Sequence, residues 1–555
     1  MTMRKFLLLA FLLLFATMHC FSTEGSLRIG VLTDTHIDNR PESLELVKKA
    51  FRVFRDQKVD VVAHVGDMAE RHSPKGYEYY RESYEEIFAG QRPQDIYVFA
   101  AHDTNGISSN GEAFILWRNA LKIHQSLYQT FDAKGYPLLV VPQYIDFTML
   151  EEMLHDAAEA YPGKPIFLFD HFPAWNTTDN TVWWGEETRR KILKRYPQVI
   201  HISGHVHGTL RNERNIWQGE FTAVNAGGLT TWGGLNPGTT RVSPVDYGVL
   251  VLEVKPEEVI FHRFDVRDGK EFSPENPWRI PLPFDPVSAP YREEARKARQ
   301  DAPAAFAEGE EILVTPDALP CRQMTVSFPE ATIGETVYYY WIDLERRNGN
   351  GAYERIARRG LIGNFHLAAE ERPPRLESIF CSSYFEAGAH YRVAVTPEGY
   401  FGQFGKTIST EFDMPQTVSD TVVFSCENPM AELPFTNEAQ TLRQTPEGDH
   451  YLLDDHGMLN LPDVCSNAPA DARFRITVDF RVQSLQPYFW TIAMHCVKPS
   501  QDIVWRTTIP LNEYEPQRLC LEFKNSRQNP VHLLFYNGIR GKISFQRVMI
   551  ERLDE

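Results

Sequence analysis

Five short runs of Asp, His and Gly punctuate the first part of the chain, and each follows directly on an apolar stretch. Asp34-Thr35-His36 comes after Leu27 to Leu32, Gly66-Asp67 after Val59 to Val65, and His102-Asp103 after Ile96 to Ala100. Asp170-His171 follows Ile166 to Phe169, and Gly204-His205-Val206-His207 follows Val199 to Ser203. Apolar runs this short read as buried strands. A further run, Leu138 to Val141, lies among them, and helical patterns separate several of the strands. Val47, Ala50, Phe51 and Phe54 keep the i, i+3, i+4, i+7 spacing of a one-faced helix, and Met149 to Ala160 repeats it. Strands after Phe221 and again from Gly248 to Phe264 have no helix between them. The pattern predicts an α/β sandwich that closes with a β-meander, with the polar runs gathered at the carboxyl ends of the strands, where open α/β sheets form their crevice.

Carboxylates and imidazoles in such a crevice suit Mn, Fe or Zn. Cysteine is missing from the set: apart from Cys20, the six cysteines Cys321, Cys381, Cys426, Cys465, Cys496 and Cys520 all lie beyond it, which argues against a structural zinc site. Two ions sharing one carboxylate can activate a water and stabilise charge developing on a phosphoryl group.

Taken in order, Asp34-x-His36, Gly66-Asp67, His102-Asp103, His171 and Gly204-His205-x-His207 resemble the motifs of the calcineurin-like metallophosphoesterases, over about Leu27 to Phe264. The resemblance implies that Asp34, His36 and His207 hold a first ion, that Asp67 bridges to a second, and that His171 and His205 belong to the second. It implies that His102 protonates the leaving oxygen or hydrogen-bonds the phosphate, with Asp103 orienting its ring. Where the family reads Gly-Asn-His followed by Asp or Glu, this chain reads Ala100-Ala101-His102-Asp103. The absent Asn is a ligand of the second ion in that family. Either the second ion binds weakly with water in the open place, or Asn105, Asp38 or another oxygen fills it, or the domain has lost activity. Purple acid phosphatases fit less well, because their first motif lacks the Asp-x-His pair and their β-sandwich precedes the catalytic domain.

Several other residues invite two readings. Asn225, after the last histidines, suits turn chemistry better than catalysis. Trp183, Trp184 and Trp232 can stack on an organic leaving group or simply pack their loops. His64 lies within a strand and reads as a core or supporting residue, and His72 has no motif behind it.

With 555 residues, 43% of them hydrophobic, the chain can build more than one core. Arg4 and Lys5, the apolar stretch Phe6 to Met18 and small residues near Ser22 have the layout of a secretory signal over residues 1–22, whose apolar part runs to roughly 7–15 residues. A spanning helix needs about 20. Met18-His19 before Cys20 is not a lipoprotein cleavage site, so export without a lipid anchor or transmembrane segment is expected, to the periplasm or the outside. The net charge of -17 argues against a nucleic-acid backbone as partner. The α/β domain is expected over 25–285 and a linker or short helix over 286–309. Two all-β sandwich domains should follow. The first, 310–415, resembles a fibronectin or immunoglobulin-like sandwich through Thr336 to Leu344 and the alternating run Tyr391 to Val395, with a Cys321–Cys381 bridge allowed. The second, 422–555, ends in Gly541 to Val548, which resembles the last strand of jelly-roll carbohydrate-binding modules.

The resulting expectation is an exported hydrolase that uses two divalent ions (Mn, Fe or Zn) and a metal-activated water on a phosphoester. One alternative is a phosphodiesterase acting on nucleotides, phospholipid head groups or phosphorylated glycans instead of a monoesterase. The other is a glycan-binding protein carrying a degenerate metal domain.

Overall fold

The computed structural model describes residues 26–553 except 38–40, 108, 180, 231–246, 300–301, 317–322, 382–384, 387, 415–421, 428–441, 445–449, 454–457, 461–467, 470–471, 485–488, 497–502, 511–516, 525–530 and 537–540; beyond residue 427, side chains are described chiefly for 472–480 and 545–553. The expected signal, Asp38, Trp232 and Cys321 lie outside the described residues, as do the side chains of Trp183 and Trp184. Two compact units emerge, one reaching Ala295 and the other running on from Arg296. No described helix is long and apolar enough to cross a membrane.

The first unit holds two six-stranded sheets. One contains β1 (Leu27–Leu32), β2 (Val61–His64) and β3 (Gln94–Tyr97), which run parallel, and β10 (Gly248–Val254), β11 (Glu258–Asp265) and β12 (Trp278–Pro281), which add antiparallel on the other side of β1. In the other, β5 (Tyr136–Val140), β6 (Ile166–Phe169), β7 (Val199–Ser203) and β9 (Thr222–Asn225) run parallel between antiparallel edges β4 (Gln129–Ala133) and β8 (Ile216–Gln218). Alternation along each strand sends one set of side chains to each face. Ile29, Val31, Val61 and Ala63 meet Leu138, Val140, Phe167, Phe169, Ile200 and Ile202 in a core shared by both sheets. The opposite face of the first sheet is covered by Phe51 and Phe54 of α1 (Pro41–Asp56), Tyr80 and Tyr84 of α2 (Pro74–Ile87), and Trp117 of α3 (Asn110–Leu121). The second sheet is covered by Leu150 and Leu154 of α4 (Phe147–Ala160) and by Ile192 and Leu193 of α5 (Glu187–Leu193). Each such side chain contributes about 1.5–3 kcal/mol on full burial. Local chemistry starts the helices: Ser73 Oγ accepts from Gly76 N at 3.2 Å ahead of Pro74, and Asp146 Oδ1 accepts from Thr148 N at 2.9 Å.

The first unit therefore has the expected layers, and its closing strands form the expected meander. Its end differs from the expected Asp285. Tyr291 O accepts from Gln218 N and Tyr291 N donates to Gln218 Oε1, both at 3.1 Å, so the chain stays docked on the second sheet beyond its last strand before entering the short helix α6 (Glu293–Arg299).

All-β sheets fill the second unit, as expected. A three-stranded sheet, β13 (Leu313–Pro316), β14 (Gln323–Pro329) and β17 (Arg375–Cys381), shares a core with a four-stranded one ordered β16 (Tyr353–Ile362), β15 (Val337–Arg347), β18 (His390–Gly399) and β19 (Ile408–Asp413). The hydroxyl of Tyr391 accepts from Glu386 N at 2.7 Å, a corner lock of the kind found in immunoglobulin-like sandwiches. Farther on, the long strands Arg473–Ser484 and Gly541–Arg552 pair antiparallel at the centre of a six-stranded sheet, and a four-stranded sheet accompanies it.

Candidate metal centre

Every expected site residue of the first unit lies just past the carboxyl end of a parallel strand. The loops after β1 and β2 are laced together: Asp34 N donates to Gly66 O at 3.1 Å, His36 N to Asp67 O at 3.3 Å and Ile37 N to Met68 O at 2.9 Å. Five of the expected ligands have left-handed backbone, with φ of 51° at Asp34, 39° at His36, 49° at Asp67, 71° at His205 and 48° at His207. For a residue with a Cβ this costs roughly 1–2 kcal/mol each, though Asp and His tolerate it better than most. Strain concentrated in this way points to function.

The side chains converge in two groups. In the first, Asp34 Oδ1 lies 3.0 Å from His207 Nε2 and 4.0 Å from His36 Nε2, and the two Nε2 atoms are 3.2 Å apart. Edges of this length suit donors sharing one ion with bonds of about 2.0–2.2 Å. In the second group, Asp67 Oδ2 lies 2.9 Å from His171 Nε2, and the rings of His171 and His205 meet edge to face at 5.3 Å. Asp67, His171 and His205 each offer a ligand atom to one point, as do Asp34, His36 and His207. Asp34 Oδ1 and His171 Nε2 are buried and lack an in-line hydrogen bond among the described residues, which is what a donor aimed at a cation requires. Backbone carbonyls fix two of the rings: Val65 O lies 2.8 Å from His171 Nδ1 and Thr230 O 2.8 Å from His207 Nδ1, leaving each Nε2 to face the centre.

Electrostatics agree with the geometry. Burial works against the charges of Asp34 and Asp67, yet the surrounding histidines outweigh it and hold both carboxyls well below the usual carboxylate range. Burial also opposes a proton on His171, but Asp67 and Asp34 push it up to about 10, so two carboxylates call for positive charge at that spot. Burial pulls His205 down to about 3, leaving a neutral imidazole. Two carboxylate anions and the imidazoles around them form a donor set that fits two divalent ions.

The neighbours of His102 differ from expectation. His102 N donates to Asp67 Oδ1 at 3.1 Å, and His102 Nε2 lies 4.0 Å from Asp67 Oδ2, which puts the ring beside the centre. Its Nδ1 faces Glu70, 3.0 Å from the carbonyl and 3.5 Å from Oε1. Asp103 does not serve as the expected orienting partner. Its buried Oδ1 accepts from Ala69 N and from Tyr77 Oη, both at 3.2 Å, and Oδ2 accepts from Ala100 N at 3.3 Å. It thus clamps the loops after β2 and β3. Burial, aided by the charge of Asp67, pushes its carboxyl up to about 8.

At Ala101, where the family's Asn would stand, the main-chain N–H donates to Gln143 Oε1 at 2.8 Å. Asn105 directs its amide to Glu70 O and His102 Nδ1, at 3.2 Å each. Asn225 carries out turn chemistry, as expected: its amide donates to Gly204 O at 2.8 Å and its oxygen accepts from Gly227 N at 3.0 Å. His64 is buried, bonded to Thr35 Oγ1 at 3.0 Å and pulled down to about 3 by burial, so it is a neutral support beneath the first loop. His72 bonds the Asp103 carbonyl at 3.1 Å. Sequence reasoning passed over Glu70, which forms a third close grouping with His36 and His102.

Residues 27–209 match the family model described as calcineurin-like phosphoesterase. That segment is a calcineurin-like phosphoesterase domain. The phosphoesterase domain is metal-dependent, and its family implies a dinuclear centre for which the two groupings are the candidate ligand sets. Compared with curated proteins, the chain has no match. Among solved structures it is similar to a dimetal phosphatase from Danio rerio, at 10% identity and a TM-score of 0.31, covering 43% of this chain and 95% of that one. A purple acid phosphatase from yellow lupin, Lupinus luteus, follows at 14% identity and 0.33, covering 45% and 53%. A Clostridium thermocellum xylanase with a carbohydrate-binding module, complexed with xylohexaose, is similar at 8% identity and 0.21, covering 25% and 29%.

Proposed function

We propose that this protein is an exported phosphoester hydrolase that works with two divalent ions. Asp34, His36 and His207 would hold the first and Asp67, His171 and His205 the second, with Asp67 shared. The observation that carries the reading is the pair of converging groups, each built from one carboxylate and two imidazoles at the ends of parallel strands. When bound, the ions would supply an activated water and neutralise charge on the phosphoryl group. The chain's own residues do the rest. The Val65 and Thr230 carbonyls fix the His171 and His207 rings, and the Asp103 clamp fixes the loop carrying Asp67. His102, with Nδ1 turned to Glu70, presents Nε2 toward the centre, where it can give a proton to the departing oxygen. In this reading Ala101 leaves the second ion with three protein donors and a weaker hold. The final β-rich segment would add carbohydrate binding.

The test is protein stripped by chelator and reloaded separately with Mn, Fe and Zn, then assayed on p-nitrophenyl phosphate and bis(p-nitrophenyl) phosphate. Metal-dependent hydrolysis of either is expected, and the ratio of the two rates separates monoesterase from diesterase. Failure to bind metal or to turn over either ester would overturn the proposal and leave the glycan-binding alternative.

A further inference from the structure

Three of the candidate imidazole ligands have the far ring nitrogen held, and one is held differently. His171 and His207 lean on backbone carbonyls, whereas His36 Nδ1 faces a carboxylate, Glu70 Oε2, at 2.9 Å. The His36 side chain is 1% exposed and that of Glu70 28%, so the contact lies on the border between the buried centre and solvent. Glu70 approaches off the line of the ring N–H, making this an electrostatic contact at ion-pair distance rather than an in-line hydrogen bond. The same residue touches His102 through its carbonyl at 3.0 Å. Glu70 thus stands between a ligand of the first group, which its Oε2 meets at 2.9 Å, and His102, whose Nδ1 lies farther off, 3.5 Å from Oε1.

We propose that Glu70 is a positioning residue that sets the affinity of the first ion through His36. A carboxylate opposite Nδ1 favours the tautomer whose lone pair is on Nε2, the atom beside Asp34 and His207, and makes that nitrogen a stronger donor. A carbonyl can fix a tautomer, but it brings no full negative charge. The first ion is therefore held by a ring whose donor strength depends on one half-buried, replaceable side chain. The proposal rests on the dinuclear reading of the centre.

The experiment uses the full-length protein freed of metal, titrated calorimetrically with Mn²⁺, with bound metal counted by elemental analysis. Glu70→Ala should weaken the first Mn²⁺ by about 10–100-fold, the usual range for losing such an outer partner, and leave the second unchanged. Glu70→Gln keeps an acceptor oxygen without the charge and should fall between wild type and Glu70→Ala. Both variants should keep the second Mn²⁺ and the melting temperature of wild type, which general damage to the fold would not allow. His36→Ala is the reference and should lose the first ion altogether. If His36→Ala binds two ions as tightly as wild type, the dinuclear assignment itself falls. If His36→Ala loses an ion while both Glu70 variants bind like wild type, only the role of Glu70 is overturned. Three Mn²⁺ in wild type and two in Glu70→Ala would make Glu70 a ligand of its own ion, again overturning the proposal.

Discussion

Gly66 offers a way to disturb one half of the centre without replacing a ligand. It sits at φ +93°, and a Cβ placed there would lie 2.6 Å from His171 Nδ1, 2.7 Å from His171 Cγ and 2.8 Å from Ala100 Cβ. Gly66→Ala therefore brings two penalties: roughly 1–2 kcal/mol for a side chain on left-handed backbone, and about 1–3 kcal/mol for overpacking a closed site. Together they come to roughly 2–5 kcal/mol, a sizeable part of the about 5–15 kcal/mol by which a domain is stable. The cheapest relief is for the His171 ring to tilt, which breaks its 2.8 Å contact with Val65 O and its 2.9 Å approach to Asp67. The second ion should then be lost while the Asp34, His36 and His207 group still binds. Elemental analysis is expected to fall from two ions per chain to one, and the first thermal transition to drop by several degrees. Two tightly held ions and an unchanged melting curve would show that the loop has room to give, and the packing argument would fail.

Asp67→Asn should abolish hydrolysis and lower the content of both ions, since it removes the carboxylate assigned to both; full metal content with normal rates would refute the assignment. His102→Ala should keep its metal and slow turnover by roughly 10²–10⁴-fold, and loss of metal would make His102 a ligand instead. Ala101→Asn should tighten the second ion and raise the rate at limiting metal, with little change at saturation; identical titrations of wild type and variant would mean that another group already completes the site. A fragment ending at Ala295, rather than Asp285, should melt cooperatively and hydrolyse small esters, whereas a soluble, metal-loaded and inactive fragment would assign part of the site to the later sheets.

Much of the first unit could be read from its sequence because the strands that carry the site are short, apolar and buried on both faces. The observed β1, β6 and β7 coincide with the expected runs. The third strand ends three residues early, at Tyr97, yet Val98 to Ala100 stay buried and Val98 N still donates to His64 O. The edge strand β4 escaped notice: its positions are half exposed, and its hairpin turns at Lys134-Gly135, both at positive φ, without the Asn-Gly signal. Asp103 misled through adjacency. Its neighbour in sequence is His102, but the tight turn His102–Thr104 sends successive side chains apart, and the carboxylate goes to backbone N–H groups instead. Glu70 lies 34 positions from the ring it touches, and neither periodicity nor motif joins them. The one available hint was its place in the same loop as Asp67.

The five left-handed residues of the centre set the requirements of folding against those of chemistry. At Asp34, His36, Asp67, His205 and His207, glycine would relax the backbone but remove a proposed metal donor. A laboratory search that rewarded heat resistance alone would find its gains at these positions, among others, and would accept them. The first activity to disappear along such a path would be metal binding, well before any loss of structure. Engineering a sturdier form of this enzyme therefore requires selecting for bound metal and melting temperature together.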